Sequence, residues 1–440
     1  VCQMESKLYL RQPIRIPMNR IILVLLLGVA CSPLSEKKNG TLSFAKPEEV
    51  GISSHRLARL DSTLTSWVNQ KWINGAVALI ARNGKIAYYK ASGYNDLDSK
   101  AALPVAGIFR IASQTKAITS VAVMMLYEEG KFLLDDPVSK FIPAFANSQV
   151  LDKFQSKDTT FTTVPAKRAI TIRDLLTHTS DIDYAQIGSP EAQAIYSKHN
   201  ITAGLYVTDD RLADAMNRLA KLPLVHQPGE RWTYGLNTDL LGYLVEVWSG
   251  LTLEEFFTQR IFQPLGMKDT HFNVPEEKSS RLVNFFQEDS TGLKIQNYAL
   301  GQLDMNYPVK VKNYFSGGGG LSSTIYDYAL FLQMLLNGGE LNGIRLLSRN
   351  TVRMMTMNQI GDLNLGDNKF GLGFEIVTEK GSARYPHNIG SYSWGGAFST
   401  TYWVDPKENL VVLLYRQMWG QHGADVDQTF KVQVYQALND

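Results

Sequence analysis

Three stretches of the chain hold residues whose types and spacing could do nucleophilic chemistry. The pattern S-x-x-K occurs at Ser35, Ser43 and Ser113. A pattern that recurs so often says little alone, and the first two copies lie in or beside a polar N-terminal stretch. Ser113 differs in its context. It follows an extended apolar run, 108–112, and precedes residues 117–129, whose apolar positions have helical spacing and stop at Gly130. That predicts Ser113 at the first turn of a buried helix, where backbone N–H groups and the helix dipole favour developing negative charge. Lys116 is three residues on and shares its face. Apolar neighbours predict that the Lys116 pKa falls, which would make it a proton acceptor for the serine. The same pair also fits a helix cap beside a solvent-facing lysine.

Two further segments bear on that choice. In Arg231-Trp-Thr-Tyr234-Gly-Leu-Asn237 a tyrosine sits in a turn just before another helical stretch. Serine acylation needs a base near the hydroxyl and an acid for the leaving group, and a tyrosine beside a lysine ammonium can serve as phenolate. Tyr234 fits an aromatic core anchor as well. In Ser391-Tyr-Ser-Trp394-Gly395-Gly396-Ala397 a glycine pair opens a strand. Glycines there let a substrate approach the strand closely, and the N–H of Ala397 could join that of Ser113 as an oxyanion hole. A simple bulge is the other reading.

Other chemistries are disfavoured. No G-x-S-x-G occurs, which argues against a nucleophile elbow. The two cysteines, Cys2 and Cys31, lie near the N-terminus, so the folded part offers no thiolate nucleophile and no disulfide. Seven histidines are scattered without H-E-x-x-H spacing, so no metal and no organic cofactor is expected. With 44 basic residues against 42 acidic and no basic stripe, nucleic acid is not an expected partner. The glycine run at 317–320 lacks a following Lys-Ser/Thr and reads as a close backbone approach rather than a phosphate loop.

The elements that must hold these segments follow from periodicity. Leu57, Leu60, Leu64 and Trp67 predict a helix over 54–69, capped by Ser53 or Ser54. Apolar runs on either side of Asn83-Gly84 predict a hairpin. Near the other end, 397–404 and 409–415 read as strands and 425–438 as a helix. The middle, about 113–314, reads as mainly helical. Strands at both ends with helices between predict an α/β (α+β) fold: one antiparallel sheet flanked by helices, plus a mainly helical lobe. The α/β part would comprise about 46–112 and 315–440, within a catalytic domain of 46–440.

The N-terminal segment reads as an export signal. Met18-Asn19-Arg20 precedes an unbroken apolar run, 21–30, too short to span a bilayer. Cys31 follows directly, which resembles a bacterial lipoprotein signal, although Gly28 stands where such signals usually carry Leu. The expectation is a protein of the periplasm or cell envelope, anchored to the membrane by a lipid on Cys31. Plain secretion with an incidental cysteine is the alternative. Residues 1–17 read as an upstream extension, and 31–45, polar and aperiodic, as a tether.

Taken in order, the segments resemble the serine β-lactamase-related hydrolases: class C β-lactamases, D-alanyl carboxypeptidases and, closest, family VIII carboxylesterases. Leu134-Asp-Asp-Pro137, Leu175-Leu-Thr-His178-Thr-Ser180, Pro264-Leu-Gly-Met267 and Gly319-Gly-Leu-Ser-Ser-Thr324 add to the resemblance, which spans about 46–437. It implies a β-lactamase/transpeptidase-like fold with the site in the groove between sheet and helical lobe. It also implies Ser113, Lys116 and Tyr234 as the catalytic set, with the third motif at Trp394-Gly395-Gly396.

Departures from the family pattern bear on substrate. The tyrosine motif is usually Y-x-N, whose Asn holds a substrate amide. Here the third position is Leu236 and Asn237 comes one residue late. The third motif, often K-T-G or H-x-G, has Trp394 in place of its cation. After His178, which reads as structural, the usual Ser-Gly is Ser180-Asp181. The expected reaction is ester, or amide, cleavage of a small ester or peptide-like substrate through an acyl-enzyme on Ser113, with apolar Leu236 and Trp394 lining the groove. A β-lactamase or D-alanyl carboxypeptidase is the rival within the class. A non-catalytic peptidoglycan-binding receptor is the rival outside it.

Overall fold

The computed structural model describes residues 42–201, 205, 208–296 and 303–440. Cys31, the apolar run before it and most of the proposed tether lie outside the described residues.

A sheet drawn from both ends of the sequence carries the fold. Its strands are β1 (Ser43–Phe44), β2 (Gly75–Arg82), β3 (Lys85–Asp96), β4 (Ala101–Ala102), β5 (Lys369–Phe370), β6 (Glu375–Ile376), β7 (Tyr392–Gly396), β8 (Thr400–Asp405) and β9 (Leu410–Tyr415). Their order is β1-β3-β2-β9-β8-β7-β6-β5, with β4 paired to β3. At the centre β2 and β9 are buried on both faces, which explains their continuous apolar runs. Alternate side chains divide between two cores. Val77, Leu79, Leu413 and Tyr415 face the large core under the helical lobe. Ala78, Ile80, Val412 and Leu414 face a smaller one.

Helix α1 (Ser54–Asn69) covers the smaller core with α5 (Gly423–Tyr435). Its buried residues are Leu57, Leu60, Leu64 and Trp67, and Ser53 caps it by accepting from the Arg56 N–H. Full burial of each such leucine contributes about 1.5–3 kcal/mol. On the other face, α2 (Thr115–Glu128) packs against α3 (Asn237–Ser249), and α4 (Ile325–Leu336) lies against β2 and β9. The interior position of α2 accounts for its apolar residues all round. The Asn83-Gly84 turn has φ of 53° and 74°, both left-handed, as a two-residue hairpin requires.

Several expectations need correction. The sheet is mixed rather than wholly antiparallel, because Ser43–Phe44 pairs parallel with Lys85–Ile86. The proposed tether therefore ends sooner: Leu42 is already buried and Ser43 is in the sheet. The middle region also holds hairpins, Gln149–Gln155 with Thr160–Pro165 and Phe286–Asp289 with Gly292–Ile295. Finally, Ala397 belongs to the turn between β7 and β8 rather than to a strand beginning there.

Candidate active site

The nucleophile turn is strained and held from several sides. Ala112 has φ of 43°, a left-handed conformation that costs a non-glycine residue about 1–2 kcal/mol. A short 3-10 turn, Ala112–Gln114, then runs directly into α2. Gln114 fixes this turn from two directions. Tyr328 Oη donates to its carbonyl at 2.7 Å, and Tyr415 Oη donates to its Oε1 at 2.6 Å. Thr115 Oγ1 accepts from the Leu321 N–H. Ser113 is thereby presented at the start of the helix, facing the groove.

Ser113, Lys116 and Tyr234 are brought together. Tyr234 Oη donates to Ser113 Oγ at 2.6 Å. Lys116 Nζ lies 3.4 Å from Ser113 Oγ and 4.6 Å from the centre of the Tyr234 ring. It also donates to Tyr184 Oη at 3.0 Å and to the Gly318 carbonyl at 2.6 Å. The lysine is 2% exposed. Burial alone pushes its pKa down, as expected from the sequence. The charges of Tyr184 and Tyr234 and their hydrogen bonds outweigh burial, so the ammonium is held above its ordinary value. That corrects the expectation of a lowered lysine pKa. Lys116 is thereby placed as an ammonium beside the oxygens of Tyr184 and Ser113 and the ring of Tyr234.

Tyr184 is the residue that sequence reasoning missed. It is a lone tyrosine in an irregular segment, 68 positions from Lys116, and no periodicity marks it. The glycine run is a close approach, as read from the sequence. A β-carbon at Gly317 would stand 2.5 Å from the Thr238 carbonyl oxygen, and one at Gly318 2.3 Å from Asp239 Oδ2. This packing brings the Gly318 carbonyl to the Lys116 ammonium.

Behind Tyr234 lies a buried polar layer. His178, with φ of 58°, ends the short helix Ile172–Thr177. Burial, then the nearby Lys116 charge, hold its pKa well below the ordinary value, so it is neutral. Its Nδ1 accepts from Asn237 Nδ2 at 3.0 Å, and its ring lies 5.1 Å from that of Tyr234. Asn237 also accepts from Ser180 Oγ and donates to the Ile182 carbonyl. Its amide is thus spent inside the protein. Asp181 has φ of 67°, which explains why glycine is usual there, and it accepts from Thr233 Oγ1 and the His226 N–H.

Two cavities meet at Ser113. The smaller, about 210 Å³, is walled by Ala112, Tyr184, Leu205, Leu303 and Trp419. The larger, about 490 Å³, runs past Tyr234, Ser393, Trp394 and Gly395. Ala397 and Ile187 border both, and Ile187 is 70% exposed at their mouth. Trp394 packs 5.5 Å from the Tyr234 ring and 5.4 Å from Phe370. Two expected groove residues are placed elsewhere. Leu236 is 0% exposed in the large core, because the turn before α3 points it inward. Gly396 meets the nucleophile turn: a β-carbon there would stand 2.3 Å from the Ile111 carbonyl oxygen.

A serine hydroxyl at a helix start, bonded to a tyrosine beside a buried ammonium and open to an apolar groove, is the apparatus of a serine hydrolase. The chain belongs to the Beta-lactamase family, whose model matches residues 60–435. It is 34% identical over 354 residues to Protein Rv1367c of Mycobacterium tuberculosis, covering 78% of this chain and 85% of that protein. It is 28% identical over 371 residues to esterase EstB of Burkholderia gladioli, covering 81% and 89%. Among solved structures it is similar to EstCE1, described as a hydrolase with promiscuous acyltransferase activity. That match has a TM-score of 0.74 at 24% identity and covers 88% of this chain and 99% of that one. The β-lactamase/transpeptidase-like fold expected from the sequence is the fold found.

Proposed function

We propose that the chain is an exported esterase acting through an acyl-enzyme on Ser113. In the reacting form Tyr234 is a phenolate stabilised by the Lys116 ammonium; Ser113 Oγ attacks the ester carbonyl carbon and gives its proton to that oxygen, the two being within hydrogen-bond distance. The carbonyl oxygen takes up the electron pair and is held by the N–H groups of Ser113 and Ala397. Collapse expels the alcohol, which takes the proton from Tyr234. Water then attacks the acyl-serine and gives a proton to the same tyrosine, and as the bond to Ser113 Oγ breaks Tyr234 passes that proton to Oγ, releasing the acid and restoring the serine.

The observation that carries this reading is the 2.6 Å hydrogen bond between Tyr234 and Ser113 beside a fully enclosed lysine. Ester rather than β-lactam preference is supported by the spent amide of Asn237 and by Trp394 in place of the motif's cation. A buried substrate amide left without a partner would cost about 1–3 kcal/mol. EstB, by name an esterase, is similar over most of its length. Labelling with a fluorophosphonate tests the assignment. The intact mass should rise by one adduct on Ser113, and Ser113→Ala should abolish both labelling and p-nitrophenyl butyrate hydrolysis. Labelling at another serine would refute it.

Export and lipid anchoring at Cys31 rest on the sequence of the first 31 residues. Cys31→Ala should release the mature protein from the membrane fraction or block its processing. A soluble mature form cleaved elsewhere would count against the anchor.

A further inference from the structure

The larger cavity does not stay apolar along its length. Beyond Ser393 and Gly395 its wall is formed by Glu375, Trp403, Asp427 and Lys431. The two carboxylates already have partners. Asp427 is bonded to the buried Arg416 at 2.5 Å, and Glu375 accepts from Asn368 Nδ2 at 2.7 Å. Asp427 is one helical turn before Lys431, a favourable spacing for an ion pair, yet it is turned to Arg416 instead.

Lys431 is left with weak company. Among the described residues no carboxylate oxygen lies within 4 Å of its ammonium. Its partners are His387 Nδ1 at 3.2 Å and the rings of Tyr385 and Trp403, each 5.6 Å away. Burial holds its pKa below the ordinary value despite the charges of Glu375 and Asp427, so those acids do not compensate it. A partly desolvated cation with no carboxylate in direct contact gains from an anion that can reach it.

We propose that Lys431 binds a carboxylate of the substrate, so that the preferred esters bear a free acid on the group lying in the larger cavity. This rests on the esterase reading of the same site. Lys431 offers a positive charge from the C-terminal helix at a different point of the same cavity, and the motif position itself keeps the uncharged Trp394. One cavity borders both Ser113 and Lys431. The Lys431 ammonium lies 5.6 Å from the ring of Trp403, which is paired with Ser393, three residues before Gly396 beside the nucleophile turn. An acid carried on an extended chain is the form that can reach from Ser113 into that part of the cavity.

Paired substrates test it. The first pair is mono-p-nitrophenyl suberate against p-nitrophenyl octanoate, with the acid on the acyl side. The second is the acetate ester of 8-hydroxyoctanoate against octyl acetate, with the acid on the alcohol side. The wild type should favour the acid over the neutral member in one pair by about tenfold in kcat/KM. Lys431→Met should bring that ratio to unity or below, Lys431→Arg should retain it, and high salt should reduce it. The ratio is read within each variant, so differences in folded fraction cancel. No preference for the acid in either pair, or a preference that survives in Lys431→Met, overturns the proposal. Failure to hydrolyse any of the four esters would instead count against the esterase reading.

Discussion

Asp181 and Thr233 stand 52 positions apart in the chain and are joined by a 2.6 Å hydrogen bond from the threonine hydroxyl to the carboxylate. The other carboxylate oxygen accepts from the His226 N–H. One side chain therefore clamps both ends of the segment leading into Tyr234. It does so from a left-handed backbone position that would suit glycine better. Asp181→Gly should relieve the backbone and lose the clamp. We expect kcat for ester hydrolysis to fall about tenfold with KM little changed, since a loosened Tyr234 affects proton transfer more than binding. An unchanged kcat with a lowered Tm would reduce Asp181 to a structural role.

Lys116 and Tyr234 should act as one unit. Lys116→Met and Tyr234→Phe are each expected to lower kcat by about a thousandfold or more, and the double variant should be little worse than either single one. Multiplicative losses in pre-steady-state acylation rates would show independent roles.

Leu236→Ala should behave as a core mutation. Removing a fully enclosed leucine is expected to cost about 2–5 kcal/mol of stability in urea unfolding. The preference among acyl chain lengths should stay as in the wild type. A changed preference at unchanged stability would place Leu236 in the groove after all.

Acid sensitivity follows from buried imidazoles. Burial, then the Lys278 charge, lowers the His271 pKa from 6.5 to about 4. Burial, then Lys431, lowers His387 to about 4 as well. The unfolded chain takes up these protons near pH 6.5 and the folded chain only near pH 4. Stability is therefore lost as pH falls from 6.5 towards 4. Melting curves across that window should show a falling Tm, and His271→Gln together with His387→Gln should reduce the fall, leaving the share due to the buried His178.

What could be read from the sequence was what a local pattern records. The Asn83-Gly84 hairpin, helix α1 and the placement of Ser113 before α2 each follow from residues close together in the chain. The missing parts depend on distant packing. Tyr184 meets Lys116 through a loop without period, and Ser43–Phe44 finds its parallel partner through only two residues. The direction of the Lys116 pKa failed for the same reason: apolar neighbours signal burial, but Tyr184 reaches the ammonium only in the folded chain. Leu236 was misplaced because a motif position gives the turn and not the direction of the side chain.

The centre of the sheet joins chain segments made far apart in time. Arg82, at the end of β2, donates to the Glu408 carbonyl, 326 positions later, and β2 pairs along its length with β9. At about 5–20 residues per second, a ribosome would finish β2 roughly 15–65 s before its partner strand exists. Throughout that interval β2 has β3 on one side and an open edge on the other. Products truncated before β9 cannot close the sheet.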